Sequence, residues 1–324
     1  MKQLKKQTFA GALSVVLAGL LLAGCGAGSE YFHIDGSPKL ANENFGRTPP
    51  PVQLAVFDNT QPATEERDGK TGTIDLTNIA KGYVAAASKS GVTTKFRVKK
   101  GEEYYDYDLD NTGKFEVYPL SLGDGTYEFT IFHNITGNQY ATFLTQSVSV
   151  QLESEFAPFL VPSQIVDYNE NTDCIELSYQ LAQHASTNVE VVATVYHWVK
   201  NNISYDTEKA IEVLSNTLYR PVLDEIIQEK TGICYDYAAV VAAMLRANGI
   251  PCKLIMGNVQ TPQDGSVYHA WNMIWLEEVG WIAVQIPTTP EEWERIDLTF
   301  AAGSGSSIED FIGDGNNYTE MSVH

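Results

Sequence analysis

Apolar and polar residues alternate over short runs between about Gly82 and Gln151, and alternation of period two predicts β-strands. Residues 94–98, 125–132 and 147–152 show it, with turn chemistry at Asn111-Thr-Gly113 and Gly123-Asp-Gly125 between them. Short strands at this spacing predict a small antiparallel β-sandwich over residues 82–160. From Asp173 the period changes. Residues 174–184 and 188–200 carry helical spacing, the second with Val191, Val195 and Trp198 on one stripe. Residues 223–229 give a further helical piece, and residues 238–245 form an apolar run of strong helix formers. Arg246-Ala-Asn-Gly-Ile-Pro251 reads as the stop of that helix, with Asn248-Gly249 as a left-handed cap and Pro251 forbidding continuation. Strand-like runs follow at 253–259, 269–276 and 281–284. Helices followed by strands predict an α+β domain with an antiparallel sheet over residues 161–302.

The flanks carry little periodicity. Gly26-Ala-Gly-Ser, Thr48-Pro-Pro-Pro51 and the solvated stretch from Glu65 to Gly72 predict a tether over residues 25–81, with a strand at 52–57. Residues 303–324, opening on Gly303-Ser-Gly-Ser-Ser307, read as a flexible tail. The first 24 residues read as a signal peptide: a basic Met1-Lys-Gln-Leu-Lys-Lys6, an apolar stretch from Phe9 to Leu22, and small residues at the junction. Leu22-Ala-Gly-Cys25 resembles the lipobox of bacterial lipoproteins. The resemblance implies cleavage and diacylation of Cys25, and an extracytoplasmic protein lipid-anchored to the bacterial membrane.

Charge narrows the partners. The chain carries a formal charge of −20, and losing Lys2, Lys5 and Lys6 with the signal peptide takes it to −23. Such a body excludes nucleic acid and a purely electrostatic hold on an anionic membrane. No CxxC pair or histidine cluster suggests a metal or other cofactor. Asp106-Tyr-Asp-Leu-Asp-Asn-Thr-Gly113 has Asn111 and Val117 where a calcium loop needs Gly and Glu, so it reads as an acidic strand entering a turn. Beyond Cys25 the cysteines are Cys174, Cys234 and Cys252. The first falls on a helix and the last on a core strand, which argues against a bridge between them.

Cys234 falls at or just before the start of the apolar helix, where unpaired N–H groups and the helix dipole favour thiolate. A nucleophilic cysteine needs a base. His33 lies in the tether, His133 in the β region, His184 and His197 on the early helices, and His324 at the end. His269 opens a strand 35 residues after the cysteine. Here the residues resemble the transglutaminase-like superfamily. Gly232-Ile-Cys-Tyr-Asp-Tyr-Ala238 with Leu245-Arg-Ala-Asn-Gly-Ile-Pro251 looks like that family's nucleophile helix, and His269-Ala-Trp-Asn like its histidine strand. Gly280-Trp281 is similar to the turn that follows, and residues 195–206 to the segment before the core.

The resemblance, over about residues 173–300, implies a papain-like Cys–His–Asp site on an α+β core. Its third member departs from the family pattern. Trp281-Ile-Ala-Val-Gln285 has Gln where Asp is usual, whereas Trp293-Glu-Arg-Ile-Asp297-Leu-Thr restores the context after an insertion. Asp297 is favoured, and Gln285 stands as an amide alternative able to orient His269 but not to stabilise its cation by charge. The expected chemistry is thiol attack on peptide or protein amides, cell-wall peptides included, with water or an amine as acceptor left open. Tyr205 is a candidate oxyanion donor, while Trp271, Trp275 and Trp281 read as core. Two other readings compete. One is a catalytically inactive binding or scaffold lipoprotein on the same fold; the other is a transporter's substrate-binding lipoprotein, disfavoured by a nearly helix-free stretch from 82 to 152.

Overall fold

The computed structural model describes residues 50–56, 62–213, 216, 218–261, 265–277, 280–284 and 318–324. All lie within one compact unit, Phe45–His324. Cys25 and its leader, Gln285 and Asp297 lie outside the described residues.

Eight strands come first: β1 Pro62–Arg67, β2 Lys70–Asp75, β3 Tyr83–Lys89, β4 Thr94–Lys100, β5 Glu103–Leu109, β6 Glu116–Pro119, β7 Gly125–Thr136 and β8 Gln139–Val150. They form two four-stranded antiparallel sheets ordered β1-β2-β3-β6 and β5-β4-β7-β8. Inward-facing aromatics join the sheets. Phe96 on β4 and Tyr107 on β5 both meet Tyr118 on β6, with ring centroids 4.6 and 4.7 Å apart. Pairs of this kind contribute about 0.5–1.5 kcal/mol beyond the area they bury. The acidic run is β5, an outer strand: Asp108 pairs with Lys95 at 2.9 Å, and Asp106 takes two hydrogen bonds from Arg97.

The sandwich begins earlier than its alternation suggests. Residues 62–75, expected within a tether, form the β1–β2 hairpin. Asp68 and Gly69 both have positive φ (54° and 72°) at its tip, the backbone that a two-residue hairpin turn requires and that an Asp-Gly pair supplies. β1 is an edge strand rich in charged and polar residues, so its sequence carries no apolar alternation, and the buried Ile74 on β2 anchors the hairpin.

The helical part has α1 Asp173–Ala182, α2 Asn188–Asn202, α3 Thr207–Val213, α4 Leu223–Glu229 and α5 Cys234–Ala247. Two short strands, β9 Ser204–Tyr205 and β10 Thr231–Gly232, pair in parallel. α2 starts with a capping box in which Thr187 and Glu190 each bond the other's backbone N–H. α5 is the centre: Tyr235 to Ala247 are all buried, and each large apolar side chain so enclosed contributes about 1.5–3 kcal/mol. It ends as its sequence requires. Gly249 adopts φ 74°, and the Gly249 and Ile250 N–H groups bond the carbonyls of Arg246 and Leu245.

A four-stranded antiparallel sheet packs beside α5: β11 Cys252–Thr261, β12 Gly265–Leu276, β13 Gly280–Val284 and β14 Tyr318–Val323, ordered β13-β12-β11-β14. Residues 318–324 therefore depart from the expected flexible tail. β14 pairs with β11, and the fully buried Arg246 donates to the carbonyls of Cys252, Val161 and His324. One guanidinium thus fixes three distant segments. Gly257 on β11 permits the close approach, because a Cβ there would stand 2.1 Å from the Thr319 carbonyl oxygen. Cys174 and Cys252 are both free and buried.

Candidate active site

Cys234 is the first residue of α5, and the extended Ile233 before it is the N-cap. The approach is fixed by the β9–β10 pair: the Ser204 N–H bonds the Lys230 carbonyl and the Asp206 N–H bonds that of Gly232. The first turn of the helix is held by Asp236. This fully buried carboxylate accepts from the Ile233 N–H at 2.9 Å, the Tyr219 hydroxyl at 2.5 Å and the Lys209 ammonium at 2.8 Å. An acceptor at N3 reaching back to the N-cap amide satisfies one of the donors that a helix start leaves open. It also explains the glycine two residues before the cysteine, since a Cβ on Gly232 would lie 2.8 Å from Asp236 Cβ. Asp236, Lys209 and Tyr219 were not anticipated; the Asp at N3 of a helix opening at Cys234 was the available signal.

Against this helix lies β12. Asn272 donates its amide to the Ala238 carbonyl at 3.0 Å, and Ile274 and Leu276 join the core that encloses α5. Strand alternation places Ala270 with them and Trp271 on the other face, where it packs with Ile255, Met273 and Val323. His269 is 2% exposed, with its ring stacked beside Trp271 at 6.3 Å and 20°. The link to the cysteine runs through the backbone: the Ala270 N–H lies near enough to the Cys234 sulfur to favour its thiolate. Among the described residues β13 pairs with β12 from Leu276 back to Asn272, two positions short of Ala270. The sulfur therefore lies near the peptide unit that joins His269 to Ala270.

The electrostatics differ from the helix-dipole expectation. Burial pushes the half-buried Cys234 thiol up to about 11, and the Asp236 charge adds to the rise; the backbone N–H groups of Ala270 and Tyr235 oppose it without prevailing. Taking a thiolate out of water outweighs a helix start here. Two tyrosines flank the sulfur. Burial first, then the charges of Cys234 and Asp236, push the Tyr205 phenol up to about 12. Tyr268, half-exposed, is also raised, by burial and by Cys234. Both remain neutral hydrogen-bond donors at pH 7.

Beside the first turn of α5, a cavity of about 380 Å³ is lined by Asp206, Glu208, Glu212, Glu225 and Glu229 together with Lys209 and Tyr219. The remaining tryptophans pack, as expected. Trp275 and Trp281 cluster with Phe156 and Phe159, and the Lys253 ammonium sits 4.0 Å from the Trp281 ring centre.

A family model described as the transglutaminase-like superfamily matches residues 175–286. The kyphoscoliosis peptidase of Mus musculus is 28% identical over 135 residues, which are 40% of this chain and 18% of that protein. The chain thus spans about a fifth of the length of that relative. Among solved structures, a candidate cysteine protease from Cytophaga hutchinsonii is 17% identical, with a TM-score of 0.34 over 66% of this chain and 70% of that one. The red sea bream transglutaminase is 12% identical, with a TM-score of 0.27 over 65% of this chain and 49% of that one. The segment that builds the cysteine helix and the histidine strand thus lies within residues 175–286, which match the model of the transglutaminase-like superfamily.

Proposed function

We propose that the chain is a thiol acyl-transfer enzyme acting on amide bonds of peptides or proteins. Cys234 is the nucleophile and His269 the base. Asp297 orients the imidazole, with Gln285 the alternative in that role. The observation that carries this reading is a cysteine at the start of α5 whose sulfur lies near the N–H of Ala270, the residue after His269. Because the resting sulfur is a thiol, His269 removes its proton as the sulfur adds to the carbonyl carbon. The Cys234 N–H at the helix start is one donor to the developing oxyanion, and the neutral phenols of Tyr205 and Tyr268 are candidates for a second. Collapse breaks the C–N bond, the imidazolium protonates the leaving amine, and a thioester remains. Water then releases an acid, or a primary amine forms a new amide. Export and lipidation at Cys25 would hold this chemistry on the outer face of a bacterial membrane, within reach of cell-wall peptides.

The test is trapping of the thioester. The chain is incubated with p-nitrophenyl acetate and with peptide p-nitroanilides, and the intact mass is followed. An acyl adduct on Cys234 is expected, lost in Cys234→Ala and formed at least about 10²-fold more slowly in His269→Ala. Comparing Asp297→Ala with Gln285→Ala identifies the orienting group. The inactive-scaffold reading draws on the thiol at about 11. It predicts no adduct and an alkylation rate indifferent to His269, and that pair of results would overturn the enzyme reading.

A further inference from the structure

A second cavity, of about 160 Å³, opens on the β-sandwich where the edge strands β1 and β8 meet. It shares no lining residue with the surroundings of Cys234. Its walls include Arg67, Lys70 and His133, together with Ile135, Ala141 and Phe143. The β7–β8 hairpin departs from regular pairing at two places here. Between Ile131↔Leu144 and Phe132↔Thr142 the extra residue is Phe143; between Asn134↔Tyr140 and Thr136↔Gln139 it is Ile135. Each bulge re-aims one side chain, and both of those side chains line this cavity. Phe143 is clasped, with the His133 ring 4.0 Å from it on one side and the Arg67 guanidinium 4.6 Å from its centre. Gly72 leaves room behind it, since a Cβ there would come within 2.9 Å of the Phe143 ring.

The charge is out of keeping with the rest of the molecule. In a chain of net charge −20, this notch gathers two cations and an imidazole against one carboxylate, Asp68 at the hairpin tip. Arg67 donates to the carbonyls of Thr142 and Phe143, and its nearest carboxylate is Glu65 at 3.9 Å on the exposed side. Lys70 has no ion-pair partner among the described residues. His133 is 5% exposed, and Ser88 Oγ at 3.5 Å from Nε2 is its one polar neighbour among the described residues, leaving Nδ1 unpartnered beside the cavity. The positive field of Lys70 and Arg67, which adds to burial in keeping the imidazole neutral, suits an oxyanion. Ile135 stays 66% exposed at the rim, an apolar surface that a bare inorganic anion would not use.

We propose that this notch binds the C-terminal carboxylate of a peptide ending in an aliphatic residue, with Lys70 and Arg67 facing the carboxylate and Ile135 against the aliphatic side chain. The site is separate from the thiol chemistry and would hold one peptide strand while another part of the molecule acts.

The test is calorimetric titration of the full chain carrying Cys234→Ala, so that turnover of the probe cannot enter. The probe is acetyl-Gly-Ala-Ala with a free carboxylate, against the same peptide as its C-terminal amide. The acid is expected to bind at least tenfold more tightly than the amide. Lys70→Glu is expected to weaken the acid at least tenfold with an unchanged melting temperature, and Ile135→Ser to weaken it several-fold. Equal binding of acid and amide, or none up to millimolar peptide, would overturn the proposal. Inorganic phosphate binding at this notch while the peptide acid does not would overturn it in favour of a free-anion site.

Discussion

Replacing Asp236 by Ala tests whether the first turn of α5 is held as the geometry indicates. The carboxylate is fully buried and has three partners: the Ile233 N–H, the Tyr219 hydroxyl and the Lys209 ammonium. Loss of a capping acceptor costs about 1 kcal/mol. Removing one partner of a buried ion pair costs about 3–5 kcal/mol, because the other charge is left uncompensated. Lys209 is 26% exposed at its side chain and regains some water, so the lower part of that range applies. The total is about 3–4 kcal/mol. At about 2–4 °C per kcal/mol for a chain of this size, the melting temperature falls by roughly 6–16 °C. Asp236→Asn keeps one acceptor oxygen, enough for the Ile233 N–H, turns its NH2 toward the Tyr219 hydroxyl and loses the charge, and should cost less than Asp236→Ala. Urea unfolding of both variants, with Lys209→Met and the Asp236→Ala/Lys209→Met double variant, completes a cycle whose coupling term isolates the pair. The same variants carry a second readout. Asp236 raises the Cys234 pKa, so Asp236→Asn should lower the pH at which iodoacetamide alkylates that thiol. A loss below 1 kcal/mol in Asp236→Ala, or an alkylation profile shifted upward, would refute the reasoning.

Three further outcomes follow from buried groups. Burial raises all three described thiols, Cys234 to about 11, Cys252 to about 12 and Cys174 further; the unfolded chain ionises first, so stability is full below about pH 8.5 and falls as pH rises above it, as urea midpoints from pH 7.5 to 10 should show. Burial lowers His133 to about 4 and His324 to about 3. Each is held neutral in the fold, so their contribution is present above about pH 6.5 and is lost as pH falls toward 4; His324→Phe should flatten that limb of the stability curve. Arg246→Met strips three buried carbonyls of a charged donor and should cost about 3–5 kcal/mol. Arg246→Lys should not restore the loss, because a single ammonium lacks the planar fork that reaches three acceptors, and a melting curve distinguishes the two.

How far the sequence announced this structure depended on whether the deciding interaction was local. The stop of α5 was legible because Asn248, Gly249 and Pro251 act within one turn, and the structure places Gly249 at φ 74° as that chemistry demands. The sandwich strands with one buried face were legible from alternation. β1 was not, because an edge strand with little buried surface has no apolar period to show. β14 failed for a different reason. Its place depends on pairing with β11 some 60 residues earlier in the chain and on Arg246 reaching the His324 carbonyl, and nothing within 318–324 encodes either partner. Cys234 at a helix start was legible because pattern and motif coincide there; His269, expected to open a strand, instead lies inside β12, which begins at Gly265. Asp236 was overlooked because a carboxylate in an apolar helix reads as a surface residue until the three groups it binds are seen.

The sulfur shows which of two opposed effects governs this site. A helix start favours thiolate by about 0.3–1 kcal/mol in exposed settings and up to about 2 kcal/mol when partly buried. A rise from 9.0 to about 11 corresponds to about 2–3 kcal/mol in the opposite direction, so enclosure exceeds the dipole and the two amide donors together. Under the proposed function this fixes an order of events. Few free chains hold a thiolate at neutral pH, so stored nucleophile cannot drive the first step, and the proton must leave as the substrate carbonyl arrives. The Ala270 N–H near Cys234 Sγ then matters at the start of that step: it stabilises the charge on sulfur as the proton leaves, before the S–C bond forms and the charge passes to the carbonyl oxygen. Changing that amide to an ester at position 270 by chemical ligation should therefore raise the Cys234 pKa above about 11 and slow acyl-adduct formation and alkylation by a small, uncharged reagent alike. An unchanged pKa, or slowing of acyl-adduct formation alone, would refute a role for this amide in ionising the sulfur.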